Sequence, residues 1–408
     1  MSTGKLKINV FDETIGKPLA DAKVRLSSHN QPNKITEELI TNVVGQIDTL
    51  ELETPPIEYS LEPNSPMPYG EYDITVSKEG FENIIIEKIQ ILPDVTAEQN
   101  VFMTKGVQNS NLTFDLPPHT LYGEYPPKIS ENVIKDLPYS QSFVVLDQIA
   151  IPEYVIVHDG DPNDDNAPNY WVQYTDYIKN VASCEIYATW PIEAIKANVL
   201  TINSFTLNRV YTEWYRSKGK NFTITSSTAY DQKFVYGHNI FEEISNVVDE
   251  LFSTFITKPQ IQQPLFTQYC DGKNVTCPGW LSQWGSKDLA ESGNDYMAIL
   301  RSYYGGDIYL DTSNQISGIP SSYPGEVLQS GSQGDSVRLL QRQLNSISDN
   351  YPLINKIAVD GIYGENTINS VKTFQQIFGL PQSGSTDYAT WYEISKIYTA
   401  VERLAETV

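Results

Sequence analysis

At 408 residues the chain is too long for one ordinary domain, and 40% hydrophobic residues with 24 Gly and 24 Pro describe a folded, turn-rich protein. A formal net charge of −23 excludes the cation-driven binding that nucleic acid and anionic membranes demand, since no Lys/Arg cluster exists to release counterions. The 26 Tyr and 6 Trp suit a glycan partner, met by ring stacking and hydrogen bonds. No apolar core follows the basic start MSTGKLKINVFDETIGK, so no ordinary secretion signal is expected. Nor does any run of about 18 apolar residues offer a membrane span. Cys184, Cys270 and Cys277 are too few for a disulfide framework.

From residue 4 to about 104, LKINVFD, AKVRLSS, EYDITVS, NIIIEKIQI and QNVFM alternate apolar and polar positions between turns, the pattern of an all-β sandwich. The order GKLKINVFDE, GKPLADAKVRL, PYGEYDITVSKEGF resembles the carboxypeptidase-regulatory or transthyretin-like fold. In that resemblance Pro18-Leu19 opens a strand, Gly70-Glu71-Tyr72 starts a hairpin arm, and the domain is an adaptor or chaperoning module. Residues 105–141 turn Pro- and Asn-rich and read as a connector within reach of a protease. Residues 142–315 mix strands with two patterned helices, an α+β domain, and the loop SNQISGIPSSYPGE leads to a last domain over 326–408. The whole is a multidomain α+β chain.

The helix expected from about Asp176 carries Ile178, Val181, Ala182 and Glu185 at i, i+3, i+4 and i+7, placing a carboxyl on an apolar face. Trp190-Pro191 breaks it and opens a second helix. Ile192, Ile195, Val199, Ile202 and Phe205 then follow at helical spacing as expected core. A carboxyl on an apolar face has a raised pKa and stays protonated near neutrality, ready to act as a general acid. The competing reading is a glutamate that caps or pairs with a neighbour.

The stretch YIKNVASCEIYATWPIEAIKANVLTINSFTLNRV (177–210), then SSTAYDQKFVYG (226–237) and LSQWGSKDLAESG (281–293), resembles the stage II sporulation protein D family of lytic transglycosylases. The resemblance implies that Glu185 is the catalytic acid, protonating the glycosidic oxygen and taking a proton from the substrate's own C6 hydroxyl. One carboxyl then suffices, where an ordinary glycosidase needs a pair. Tyr230, Gln232, Ser282 and Gln283 are candidate hydrogen-bonding groups for sugar hydroxyls and N-acetyl amides, with turn stabilisation the equally open alternative for each. Where many relatives carry a histidine, this chain has Cys277, seven residues after Cys270. A tetrahedral zinc site would need further ligands, and only His158 and His238 lie beyond the connector. No metal and no cofactor are expected. Free thiols are the expected state of the cysteines, with a Cys270–Cys277 disulfide the next option, and Cys184 reads as a small buried residue.

Residues 326 to about 398, with EVLQSGSQGDSVRLLQRQLN, AVDGIYGENTINSVKTFQQIFGLPQSG and ATWYEI, resemble the three-helix peptidoglycan-binding domain of wall hydrolases. Val337, Leu340, Leu344, Ile368, Val371 and Phe374 keep helical spacing and are expected core. The order of β-domain, connector, transglycosylase-like domain and glycan-binding domain resembles the clostridial spore cortex-lytic enzymes, and VLDQIAIPEYVIVHDG (145–160) resembles the start of their mature form. That likeness implies a zymogen made in the mother cell without a signal peptide and stored in the cortex and coat region of the spore. A subtilisin-like germination protease would process it near Gln141 and Ser142, and peptidoglycan glycan strands would be its substrate and partner. The alternatives are a non-catalytic wall or spore-coat glycan-binding protein and a phage-type lysin, and an amidase has no His-rich site to support it.

Overall fold

The computed structural model describes residues 2–13, 16–32, 34–106, 110–129, 149–259, 261, 263–317 and 323–402. The N-terminal region is sheet-rich: β1 (Ser2–Asp12), β2 (Lys17–Pro18), β3 (Lys23–Ser28), β4 (Ile35–Ile40), β5 (Leu50–Thr54), one helical turn α1 (Glu58–Leu61), β6 (Gly70–Ser77), β7 (Asn83–Ile91), β8 (Thr96–Met103) and β9 (Asn111–Asp115). Two sheets result, one of five strands and one of four to which the central region adds a fifth. One runs β4-β3-β6-β7-β9; the other centres on β1, paired with β2, β5 and β8. Strand β7 packs on β1 and β8, and the alternation read from the sequence sends Leu6, Ile8, Val10, Val24, Leu26, Ile74, Val76, Ile84 and Ile86 inward. The stretch expected to be a connector contains a strand, since β9 pairs parallel with β7 from Asn83↔Asn111 to Glu87↔Asp115.

The central region opens with β10 (Tyr154–His158) and β11 (Asn169–Gln173), then α2 (Tyr174–Glu185) and α3 (Ile192–Tyr211). It continues with β12 (Ile224–Thr225), β13 (Ile240–Phe241), α4 (Glu242–Leu251), β14 (Thr254–Thr257), β15 (Tyr269–Cys270), β16 (Leu281–Ser282), α5 (Gln283–Glu291), α6 (Tyr296–Tyr304) and β17 (Tyr309–Thr312). The twenty-residue α3 is the axle of this region, packed by α2, α4, α5, α6 and β14. A helix surrounded on all sides must bury its polar residues as well, and Thr201 and Ser204 do so by donating to the carbonyls four residues back, at 2.8 and 2.7 Å. Ile195, Val199, Ile202 and Phe205 are buried as expected, but Ile192 is 49% exposed. It is the first helical residue, before the axis enters the core. Among the described residues no helix is long and apolar enough to cross a membrane.

The C-terminal region is helical: α7 (Asp335–Ile347), α8 (Glu365–Ile377) and α9 (Tyr388–Glu402). Val337, Leu340, Leu344, Val371 and Phe374 are fully buried, whereas Ile368 is only partly so. Two buried glutamines pin the interhelical turns. Gln341 accepts from the Gly361 amide at 2.8 Å, and Gln375 accepts from the Gly384 amide at 2.9 Å. Gly361 sits at φ +78°, which a side chain rarely adopts. This region docks on the central one through Lys396–Asp176 at 2.7 Å and the Tyr388–Ser253 hydroxyl pair. Beside that contact, the ion pair Lys179–Asp249 at 2.8 Å joins α2 to α4 in the interior.

Candidate active site

Glu185 is the last residue of α2, and three consecutive loop residues fix what it meets. Asp231 is held first. Arg209 Nε donates to its Oδ1 at 2.8 Å, while the Tyr215 hydroxyl and the Thr225 amide and hydroxyl donate to Oδ2 at 2.7, 2.9 and 2.8 Å. A charge out of solvent persists when it is bonded this fully. Gln232 is held next, its Oε1 accepting from the Tyr177 and Thr206 hydroxyls at 3.1 and 2.8 Å and its Nε2 donating to the Ile202 carbonyl at 3.1 Å. With both anchored, the Lys233 amide donates to Glu185 Oε1 at 2.6 Å. Asn180 clamps the same loop to α2, accepting from the Val235 amide and donating to the Val235 carbonyl at 3.1 and 2.9 Å.

Glu185 is 3% exposed, and its second oxygen, Oε2, has no hydrogen-bond partner among the described residues. Burial pushes the carboxyl up from 4.5 to about 7. The Lys233 amide, the Tyr269 hydroxyl and the ammonium groups of Lys128 and Lys233 oppose that rise without cancelling it. The negative end of the α2 dipole acts with burial. Tyr269 is close enough to influence the carboxyl, yet its buried hydroxyl also stands outside hydrogen-bonding geometry. Glu185 Oε2 and the Tyr269 hydroxyl are thus both without a hydrogen-bond partner among the described residues. A carboxyl half-protonated near neutrality, with one oxygen unengaged, is equipped to deliver a proton to something not yet there.

The segment Leu116–Ile129 lies against this site. The Thr120 amide and hydroxyl donate to the Cys184 carbonyl at 3.2 and 2.9 Å, and His119 stacks on Tyr187 at 4.4 Å. Lys128 Nζ donates to the Asp231 carbonyl at 2.7 Å and lies 5.0 and 5.6 Å from the Phe205 and Tyr269 ring centres. The Ile129 amide closes the far end on the Ala229 carbonyl at 2.7 Å. Tyr125 is near enough to Glu185 and Cys184 for both to act on its hydroxyl, which burial first and then these two groups push up, and Lys233 Nζ lies 5.1 Å from its ring centre. Beside this cover is a cleft of about 560 Å³ lined by Tyr59, Asn64 and Pro68 of the N-terminal region, Tyr122 and Tyr125 of the segment, and Trp284.

The other expected site residues are distributed unevenly. Gln232 is adjacent to Glu185 but fully buried with both polar atoms engaged, so it supports the loop rather than facing a ligand, a correction to the expectation from sequence. Ser282 caps α5 by accepting from the Gly285 amide at 2.9 Å, and Gln283 behind it is buried. Tyr230 is half-buried and donates to Asp161. Gln141 and Ser142 lie outside the described residues. Tyr269, Lys128 and the Lys233 amide had no spacing signal. Ser282 does reach the site's margin, because β16 pairs with β15 at Tyr269↔Leu281 and Cys270↔Ser282.

The cysteine expectation is corrected: Cys270 and Cys277 form a disulfide, with Cα atoms 5.8 Å apart. The reason is the intervening turn, in which the Asp271 carboxylate gathers the amides of Lys273, Asn274 and Val275 at 3.3, 2.9 and 2.9 Å and brings the chain back on itself. Cys184 is a buried free thiol whose pKa burial raises, which suits packing rather than nucleophilic attack. His158 uses both ring nitrogens within the protein, on Asn169 Oδ1 at 2.8 Å and the Asp161 carbonyl at 3.0 Å.

Comparison with known proteins adds two modules. Residues 167–253 match the stage II sporulation protein family, a span holding Glu185 and the 226–237 block but not the 281–293 block, and residues 333–394 match the peptidoglycan binding domain. No curated protein matches the chain. Among solved structures, 5-hydroxyisourate hydrolase of Klebsiella pneumoniae is 19% identical over 25% of this chain and 92% of its own, with a TM-score of 0.17. The minor pilin GBS52 of Streptococcus agalactiae is 16% identical over 29% and 49%, with a TM-score of 0.19. The group B streptococcus pilus 2b backbone protein is 16% identical over 26% and 42%, with a TM-score of 0.17. The chain spans less than half the length of either pilus protein. The two family matches, in this order along the chain, indicate a cell-wall-acting protein of sporulation or germination that carries a peptidoglycan-binding domain.

Proposed function

We propose that the protein is the proenzyme of a peptidoglycan lytic transglycosylase, similar to the SleC-type spore cortex-lytic enzymes of clostridia, with Glu185 as its catalytic acid. The observation that carries the reading is a carboxyl raised to about 7 by burial, with Oε1 fixed by the Lys233 amide and Oε2 unpartnered. The neutral acid donates its proton to the glycosidic oxygen between MurNAc and GlcNAc, and the bond from that oxygen to the muramic C1 breaks. The muramic C6 hydroxyl then attacks C1, its proton passes to the carboxylate, and a 1,6-anhydro ring closes. No water is consumed and Glu185 ends as it began. The charged groups that act most on Glu185 are both cations, Lys128 and Lys233. A single-acid route fits those surroundings better than a carboxylate pair.

The division of labour follows the sequence: residues 1–104 as a β-domain, 105–141 as connector and propeptide, 142–315 as the catalytic domain, and 326–408 as the glycan-binding domain. The segment Leu116–Ile129 covers Glu185 in the uncut chain, so a glycan strand meets the carboxyl only once that segment has moved. A subtilisin-like germination protease cutting near Gln141–Ser142 is the proposed activator, and the cortex and coat region of the spore the proposed place of action. Tyr230 and Ser282, at the margin, are the proposed sugar contacts that remain. Decoated spore cortex offered to the intact chain, to chain cut at 141–142, and to cut Glu185→Gln should lose turbidity with the second alone. Equal rates for intact and cut chain would end the proenzyme reading, and binding by all three without clearing would favour a glycan-binding protein.

A further inference from the structure

Strand β13 lies on the catalytic side of the expected processing region, yet it completes the N-terminal sheet. It pairs antiparallel with β8, Ile240 opposite Glu98 and Phe241 opposite Ala97, and so forms the fifth strand of that sheet, at its edge beyond β8. Strand addition of this kind supplies main-chain bonds along an edge and a pocket for alternate side chains. Phe241 and Ala97 are fully buried. Next to the strand, Asn239 makes a reciprocal pair with the Gln90 backbone, its Nδ2 donating to the carbonyl and its Oδ1 accepting from the amide, both at 3.1 Å. Gln99 Nε2 donates to the Gly237 carbonyl at 3.0 Å. On its other side β13 is held by α2, since the Phe241 amide donates to Ser183 Oγ at 3.2 Å.

Contacts farther out tie the same two bodies. Trp190 Nε1 donates to the Ser60 carbonyl at 2.9 Å and Thr189 Oγ1 to Ser60 Oγ at 2.8 Å. Lys7 pairs with Glu242 at 2.9 Å, and Gln46 Nε2 reaches the Ile377 carbonyl in the C-terminal region at 2.8 Å. In each of these contacts the partners lie on opposite sides of residues 130–148, so hydrolysis of a peptide bond there breaks none of them. By contrast, the covering segment ends just before those residues and meets the catalytic side through Thr120, Lys128 and Ile129 and the stack of His119 on Tyr187.

We infer that the N-terminal domain stays bound to the rest of the protein after processing, so that the cut form is a two-fragment complex joined at β8 and β13. Cleavage turns Leu116–Ile129 into the loose C-terminal tail of a docked fragment, and activation is the departure of this tail rather than of the domain. The inference deepens the proposed regulation of Glu185 and rests on that reading for its consequence, although the retention itself is read without any assay of glycan cleavage.

The test uses the full chain with a site-specific protease sequence introduced between Gln141 and Ser142, cut in native buffer and followed by size exclusion with light scattering down to about micromolar concentration. Both fragments should co-elute at the mass of the uncut chain and part only in urea. Asn239→Ala, which removes both bonds to Gln90, should weaken the cut pair about tenfold or more at ordinary hydrogen-bond strengths, with the circular dichroism of the uncut chain unchanged. Separate elution of the fragments, or loss of either from solution, overturns the inference. A retained but inactive pair contradicts the proposed activation alone, and an active but separated pair contradicts this inference alone.

Discussion

Replacing Glu185 with glutamine removes a titration that opposes folding above neutrality. The carboxyl titrates at about 4.5 when unfolded and at about 7 in its buried site. A group raised in this way favours folding fully below the lower value, and that contribution is lost as pH climbs through the upper one. At 1.36 kcal/mol per pH unit the gap amounts to about 3 kcal/mol. Glutamine keeps an oxygen for the Lys233 amide and turns a donor toward the unpartnered Tyr269 hydroxyl. Unfolding of wild type and Glu185→Gln in urea, followed by the fluorescence of Trp190 and Trp284, whose rings lie 5.0 Å apart in the central region, reports the relevant transition. The variant should gain about 3 kcal/mol on wild type between pH 4 and pH 8.5. An unchanged difference at the two pH values would refute the claim that burial raises this carboxyl.

The same titration sets activity: kcat/KM of the cut protein on cortex should fall as pH rises above about 7, because the protonated acid is the working form. Tyr269→Phe removes a group that holds the Glu185 pKa down, so this alkaline limb should move upward while kcat drops about tenfold and KM changes little, a split that simple misfolding would not produce. Arg209→Met leaves Asp231 buried without its cation and should cost about 3–5 kcal/mol in urea unfolding, with partial recovery in Arg209→Met/Asp231→Leu. Cys270→Ser/Cys277→Ser opens a short loop worth about 2–3 kcal/mol, measured as faster proteolysis between residues 271 and 276.

Period carried most of what was legible in the residues. The inward sides of β1, β3, β6 and β7, the buried stripe of α3, and the pairing of Glu185 with an apolar helix face all follow from spacing alone. Ile192 departs because spacing marks a face but not where a helix enters the core. Strand β4, with every residue but one exposed, has no alternation to read, and β9 is polar enough to pass for connector. Gln232 and Tyr269 show the limit at the site. Whether a polar side chain faces a ligand or anchors its own loop depends on groups 26 to 84 positions away in sequence, such as Thr206, which bonds Gln232, and Glu185, which lies near Tyr269 without bonding it. The disulfide depended on the Asp271 turn, which sets the approach of two cysteines that sequence separation leaves undecided. The cover over Glu185 is a contact between segments with no shared pattern.

The most direct measurement is mass spectrometry of the fragments released from spore cortex peptidoglycan by protein cut at 141–142, alongside the cut Glu185→Gln variant. The account predicts 1,6-anhydro-muramic ends with the wild type and none with the variant. Reducing muramic ends, or anhydro ends that persist without Glu185, would contradict it.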